Sequence, residues 1–267
     1  MLNRPLQLVH STTHLAIVTE TWPPEINGVA HTISRLVTGL RTRGGYHIQL
    51  VRPRQQVKEK PRREADFHEY LVNSISLPFY KEVRLGFPQY HTLKRLWKKQ
   101  RPDLVQIVTE GPLGYSAMKA AQKLNIPVIS DFHTNFDQYS RYYRLSGFFN
   151  LAKRYLRHVH NQTLVTLVPT HELQQQLSAS GYTKLDVLDR GIDGDLFNPQ
   201  RRSTALRERL GVKADQLLVT LVSRMAQEKN LDLAFTAFRA IQQHVPQAKF
   251  LLVGDGPERK RLQETNP

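Results

Sequence analysis

One alternation constrains this chain more than any other feature. Short runs that are apolar on both faces recur at residues 14–19, 47–51, 71–77, 104–108, 128–131, 163–168 and 185–188. Amphipathic stretches such as 30–43 and 114–124 separate them. A strand apolar on both faces has to be covered on both faces, and helices between successive strands supply that cover. The pattern therefore predicts an α/β protein with a parallel sheet.

A second series begins at 217–222. It continues with a helix over 230–244, a strand over 249–253 and a helix starting within 257–262. Between the two series, residues 198–210 open on Asn-Pro and are rich in Arg, which reads as a linker. The expected division is a first Rossmann-like domain over 1–198 and a second over 199–267. The 267 residues are long for one average domain and short for two. Two strands with their helices bury too little surface for an ordinary core, so the second domain is expected to be incomplete.

Charge narrows the partners. Lys and Arg number 38 against 23 Asp and Glu, a formal charge of +15, which favours phosphate, nucleic acid or an acidic membrane surface. There is no Cys, which excludes disulfides and thiolate chemistry. The first apolar run is too short for a signal-peptide core, and no run approaches the roughly 18 apolar residues of a spanning helix. The expected location is cytoplasmic, peripheral on the inner face of the cytoplasmic membrane.

Ligands of open parallel sheets sit beyond the carboxyl ends of the strands. After the first strand comes Glu20-Thr21-Trp22-Pro23-Pro24-Glu25-Ile26-Asn27-Gly28-Val29. Gly28 precedes a helix, and reads equally as a turn glycine or as a backbone N–H donor to phosphate. No G-x-G-x-x-G is present at this turn, which argues against a dinucleotide enzyme. After the fifth strand comes Asp131-Phe132-His133-Thr134-Asn135-Phe136-Asp137. A strand-end His133 among polar and aromatic neighbours suits contact with a sugar hydroxyl or a leaving group. Asp131 and Asp137 either pair with it or face solvent.

In the second series, Arg224 and Lys229 flank a strand-to-helix loop. A guanidinium fork and a point charge beside a helix start suit a pyrophosphate. By themselves they read as solvated cations of a basic protein. Gly254-Asp255-Gly256-Pro257 comes after a strand and reads as a tight turn with a helix-starting proline. Asp193-Gly194-Asp195 has a D-x-D form, but two carboxylates are too few for a metal cage, so a turn without metal is expected. No nucleophile elbow, Ser-His-Asp set or zinc motif is recognisable.

Basic clusters at 52–63, at 94–101 around Trp97, and at 139–160 interleaved with aromatics read first as solvated faces. They also fit anionic lipid, or stacked single-stranded nucleic acid. No nucleic-acid motif accompanies them, and no nucleic-acid partner is expected.

As an ordered set these segments resemble the family 4 glycosyltransferases. The likeness is carried by Thr19-Glu20-Thr21-Trp22-Pro23-Pro24 with Asn27-Gly28-Val29, and by Phe132-His133-Thr134-Asn135-Phe136. It continues through Arg190-Gly191-Ile192-Asp193 with Leu196-Phe197-Asn198-Pro199, Ser223-Arg224 with Glu228-Lys229-Asn230-Leu231, and Val253-Gly254-Asp255-Gly256-Pro257. The subgroup it is most similar to contains bacterial mannosyltransferases and glycolipid synthases. The resemblance implies a GT-B fold and retaining, metal-independent hexosyl transfer. The donor would be a nucleotide-sugar such as GDP-mannose or a UDP-sugar, taken as substrate with no cofactor. The acceptor would be a hydroxyl of a glycolipid or polysaccharide. It implies that Gly28 and His133 serve the reacting centre, and that Arg224, Lys229, Gly254 and Gly256 serve the donor. The family's E-x7-E segment is not present in these residues. A non-catalytic membrane- or acceptor-binding remnant, and more remotely a basic nucleic-acid-binding protein, are the competing expectations.

Overall fold

The computed structural model describes residues 12–56, 58–77, 80–133 and 146–265. The chain divides into two compact units. Among the described residues, one comprises 12–133 with 147–190 and the other 191–265. The division falls at Arg190/Gly191, ahead of the 198/199 junction expected from composition. Local bonds account for that position. The Leu196 amide donates to Asp193 Oδ1 at 3.0 Å, Asn198 Nδ2 to the Asp195 carbonyl at 2.8 Å, and Arg202 Nη2 to the Ala214 carbonyl at 2.6 Å. These tie the 191–202 stretch into the second unit. Asp193 and Asp195 thus belong to a turn.

The first unit is built on a mainly parallel sheet. Its strands are β1 (Thr13–Val18), β2 (Tyr46–Pro53), β3 (Arg63–Glu64), β4 (Phe67–Val72), β7 (Leu104–Ile107), β8 (Val128–Asp131), β9 (Thr166–Val168) and β10 (Leu185–Val187), in the order β10-β9-β8-β7-β1-β2-β4-β3. Only β3 runs antiparallel to its neighbour. A separate hairpin joins β5 (Ser74–Leu77) to β6 (Tyr80–Gly86). The run expected at 71–77 is therefore two strands in two sheets, parted at Asn73.

Helices α1 (Gly28–Arg43), α2 (Tyr90–Lys99), α3 (Pro112–Lys123), α4 (Ser146–Asn161) and α5 (His171–Ala179) lie between the strands. The core is a large apolar cluster around Trp97, Ile107, Leu113, Met118 and Val159. A second forms around Ile17, Ile33, Ile48, Leu50 and Phe67. Ile17, Ile107 and Leu50 are fully buried, as expected for strands covered on both faces. Full burial of an aliphatic or aromatic side chain contributes about 1.5–3 kcal/mol.

The strand order reverses between β1 and β7. From β1 the chain moves outward through β2 and β4; from β7 it moves the other way through β8, β9 and β10. In an open parallel sheet the crevice beyond the strand ends at such a reversal is the ligand position.

The second unit contains α6 (Thr204–Arg209), β11 (Leu218–Val222), α7 (Leu231–His244), β12 (Lys249–Val253) and α8 (Arg259–Thr265). The stretch 198–210 is structured rather than a plain linker. Ser203 caps α6 by accepting the Leu206 amide at 3.1 Å. The strands β11 and β12 pair in parallel from Leu218↔Lys249 to Val222↔Val253. Burial here is sparse: Met225, Leu231 and Leu262 form the buried cluster, while Val222 is 73% and Leu233 61% exposed. Among the described residues, no helix is long and apolar enough to cross a membrane.

Candidate functional site

At the reversal in the first unit, β1 leads to Thr19-Glu20 and β7 leads to Thr109-Glu110. The Glu20 amide donates to Thr109 Oγ1 at 2.8 Å, and the Glu20 carboxylate accepts the Leu113 amide of α3 at 3.0 Å. A Cβ at Gly111 would collide with that carboxylate, so any other residue there would push the Glu20 side chain aside. Burial pushes the Glu20 carboxyl up to about 7. The Leu113 N–H pulls against that rise, and the nearby Glu110 charge adds to it.

Glu110 is paired in turn. Its Oε1 lies 2.8 Å from Nε2 of the fully buried His160, and the Tyr155 hydroxyl donates to the Glu110 carbonyl at 2.7 Å. The other ring nitrogen of His160 lies 2.9 Å from Ser130 Oγ, which continues to Thr163 and Thr166. Such a chain satisfies buried polar groups and pins α4 to the ends of β7 and β8.

The loop between β1 and α1 is held by its own side chains. Asn27 accepts the Ala30 amide at 2.8 Å as N-cap and donates to Thr21 Oγ1 at 2.6 Å. Gly28 therefore opens α1 as an exposed residue of the first turn, where helix N–H groups have no carbonyl partner within the helix.

His133 lies just beyond β8. Its Nδ1 receives Arg190 Nη2 at 3.1 Å, and its Nε2 lies 3.6 Å from Asp131 Oδ2. Asp131 is itself held by Gln106 Nε2, which donates to both carboxylate oxygens at 2.9 and 2.8 Å. The Arg190 head also stands over Gly28, with Nη1 3.8 Å from where a Cβ would project. The first unit thus brings together Gly28, Arg190, His133 and Asp131. Thr134, Asn135, Phe136 and Asp137 lie outside the described residues.

In the second unit, Arg224 and Lys229 lie beyond the end of β11. Both are exposed, and a short 3-10 turn, Gln227–Lys229, leads into α7. Arg224 approaches Glu228 at 3.6 Å, a loose pair between an exposed guanidinium and a largely buried carboxylate. The loop after β12 packs directly on this one. The Met225 amide donates to the Asp255 carbonyl at 2.8 Å and the Glu258 amide to the Met225 carbonyl at 2.9 Å. Gly254 (φ 145°) and Gly256 (φ 156°) occupy backbone conformations that L side chains rarely adopt. A Cβ would strike the Ser223 carbonyl from Gly254 and the Met225 carbonyl from Gly256. The two glycines and the Arg224 loop form one stitched edge at the carboxyl ends of both strands.

Several basic residues are less available than their spacing suggests. Arg52 is 4% exposed and pairs with Glu59 at 2.6 Å and Glu69 at 3.2 Å. Trp97 is fully buried in the core, so it offers no stacking surface. Arg95, Lys98 and Lys99 remain exposed along α2.

Residues 26–196 match Glycosyltransferase Family 4, and residues 202–265 match Glycosyl transferases group 1. The chain belongs to glycosyltransferase family 4. It is 28% identical over 254 residues to a GDP-mannose-dependent alpha-mannosyltransferase of Corynebacterium glutamicum, covering 95% of this chain and 60% of that protein. It is 26% identical over 263 residues to an alpha-monoglucosyldiacylglycerol synthase of Acholeplasma laidlawii, covering 93% of this chain and 65% of that protein. Sucrose-phosphate synthase from Thermosynechococcus elongatus shares the fold, with a TM-score of 0.68 at 15% identity over 95% of this chain and 67% of that one. The chain spans about three fifths to two thirds of the length of these relatives. The α/β architecture and this structural neighbour agree with the GT-B fold class.

Proposed function

We propose that this family 4 chain acts in hexosyl transfer from a nucleotide-sugar to a hydroxyl of a glycolipid or polysaccharide, with retention at the anomeric carbon. The observation that carries the reading is the stitched edge of the second unit, where two glycines seat the loop that presents Arg224 and Lys229. A guanidinium and an ammonium beside a helix start suit the diphosphate of a nucleotide-sugar and the charge that grows on it as it leaves. Gly28 would offer a first-turn N–H to the reacting centre, and His133 would contact the donor sugar. Gly254 and Gly256 would serve the donor by letting the backbone approach.

In the transfer, the bond from the anomeric carbon to the diphosphate oxygen breaks. A bond to the acceptor oxygen forms on the same face, and the acceptor proton passes to the departing diphosphate. No cofactor or metal takes part in this scheme. GDP-mannose and UDP-sugars are the donors to try first, because relatives named for GDP-mannose and for glucosyl-diacylglycerol synthesis both align along nearly the whole chain. The exposed cations of α2 support peripheral contact with an anionic membrane on the cytoplasmic side, where a lipid acceptor would be met.

Calorimetric titration with GDP and UDP, then assay of sugar transfer to lipid acceptors, tests the reading. Saturable binding that Arg224→Ala and Lys229→Ala each abolish is the expected result. Unchanged binding and transfer in both variants would remove the diphosphate assignment.

A further inference from the structure

We propose that Arg190 is a positioning residue that fixes the His133 imidazole in the tautomer protonated at Nε2. A guanidinium carries only donors. With Arg190 Nη2 3.1 Å from His133 Nδ1, that nitrogen accepts and carries no proton. The proton of the neutral ring then resides on Nε2, the nitrogen facing Asp131 Oδ2. At 3.6 Å that approach is too long for a hydrogen bond, but a carboxylate there still favours N–H over a lone pair.

Asp131 is in no position to turn away. Its oxygens are both held by Gln106 from the neighbouring strand β7, and its side chain is 7% exposed. The ring therefore stands between a donor-only group from beyond β10 and an acceptor-only group at the end of β8. The two ask for the same tautomer. They are far apart in the chain, with Arg190 57 positions from His133.

The consequence for sugar transfer rests on the function proposed above, whereas the tautomer itself does not. A ring held this way presents Nε2–H, so towards a sugar oxygen His133 acts as a donor. The opposite tautomer would present a lone pair there. Arg190 acts through His133 rather than on the reaction itself.

The test does not need turnover. Ring nitrogens of His133 are observed by NMR in the 15N-histidine-labelled 267-residue protein, above the imidazole titration range, with the resonance assigned by its loss in His133→Asn. The wild-type ring is expected to show a protonated Nε2 and an acceptor Nδ1. Arg190→Ala is expected to give a mixture of both tautomers, with circular dichroism unchanged because Arg190 is exposed. A wild-type ring protonated at Nδ1, or an Arg190→Ala ring still held wholly at Nε2–H, overturns the proposal. Should Arg190→Ala fail to fold, Arg190→Met takes its place with the same two outcomes, and a wild-type ring protonated at Nδ1 overturns the proposal by itself. A protein with the expected tautomer that binds no nucleoside diphosphate and transfers no sugar refutes the proposed function and leaves this inference standing.

Discussion

The carboxylate of Glu20, at the end of β1, accepts the backbone N–H of Leu113 in the first turn of α3, 93 residues away. The contact caps α3 from another element and closes the reversal point of the sheet. It also sets an unusual acid at the centre of the first unit, since burial raises the Glu20 carboxyl to about 7 from its ordinary 4.5.

The raised value makes stability depend on pH. Between 4.5 and 7 the folded protein holds a proton on Glu20 that the unfolded chain releases. Its stabilising contribution is thus present in full below pH 4.5 and is lost as pH rises through 7. Glu20→Gln keeps an acceptor for Leu113 without a charge. Urea unfolding should show wild type losing up to about 3 kcal/mol relative to Glu20→Gln as pH is raised through this range. Parallel pH profiles for the two proteins would contradict the assignment.

Removing His160 should be more damaging than its single position suggests. His160→Ala strips Glu110 Oε1 of its 2.8 Å partner in the buried interior, while Ser130 Oγ loses a 2.9 Å partner but keeps Thr163 and Thr166. An unsatisfied buried polar group of this kind costs about 1–3 kcal/mol, and the lost ring leaves a cavity as well. A loss of roughly 3 kcal/mol or more in chemical denaturation is expected. A loss within about 0.5 kcal/mol, ordinary for a surface substitution, would show that the network contributes little.

Much of the fold is legible in the sequence, and the parts that are not share a physical cause. The strands 128–131 and 249–253 are readable to the residue, because apolar runs this short between turn signals are too brief for a helix. The strand expected at 163–168 begins only at Thr166. Thr163 instead closes a turn off α4, its amide donating to the His160 carbonyl at 3.1 Å. The 94–101 cluster hides a helix whose inner face is Leu93 and Trp97. Gly28, His133, Arg224 and Lys229 can be placed at strand ends, since strand ends are where such sheets hold ligands. Glu20, Glu110, His160 and Arg190 cannot be given partners, because each meets its partner across dozens of residues and no local pattern encodes that meeting. Glu20 and Arg190 do stand inside the family motifs, and an acid directly after an apolar strand is the available signal.

Gly254 offers a sharper test of the stitched edge than either cation does. Its φ of 145° and the closeness of the Ser223 carbonyl both exclude a side chain. Gly254→Ala should cost more than about 2 kcal/mol in the second unit and displace the Arg224 loop. Gly191 is the control, because a Cβ there meets nothing within 4 Å. Gly191→Ala should stay within about 0.5 kcal/mol of wild type. Hydrogen exchange at the β11 and β12 amides, with nucleoside diphosphate affinity alongside, reads both effects. Equal behaviour of the two alanine variants would mean that the loops after β11 and β12 are not stitched through Gly254.

The two units should also differ in resistance to opening. The first rests on two extended apolar clusters, whereas the second closes on Met225, Leu231 and Leu262 and leaves Val222 and Leu233 largely exposed. Regions with few buried apolar contacts open at lower free energy, and proteases cut what opens. Brief trypsin treatment should therefore cut first at the exposed arginines Arg201, Arg202 and Arg209 and through the second unit. Mass spectrometry should then find a persistent fragment ending near residue 201. Amide exchange should run in the same order, with β11 and β12 losing protection before β1, β2 and β7. If both units resist alike, something other than the buried cluster around Leu231 holds the second one closed.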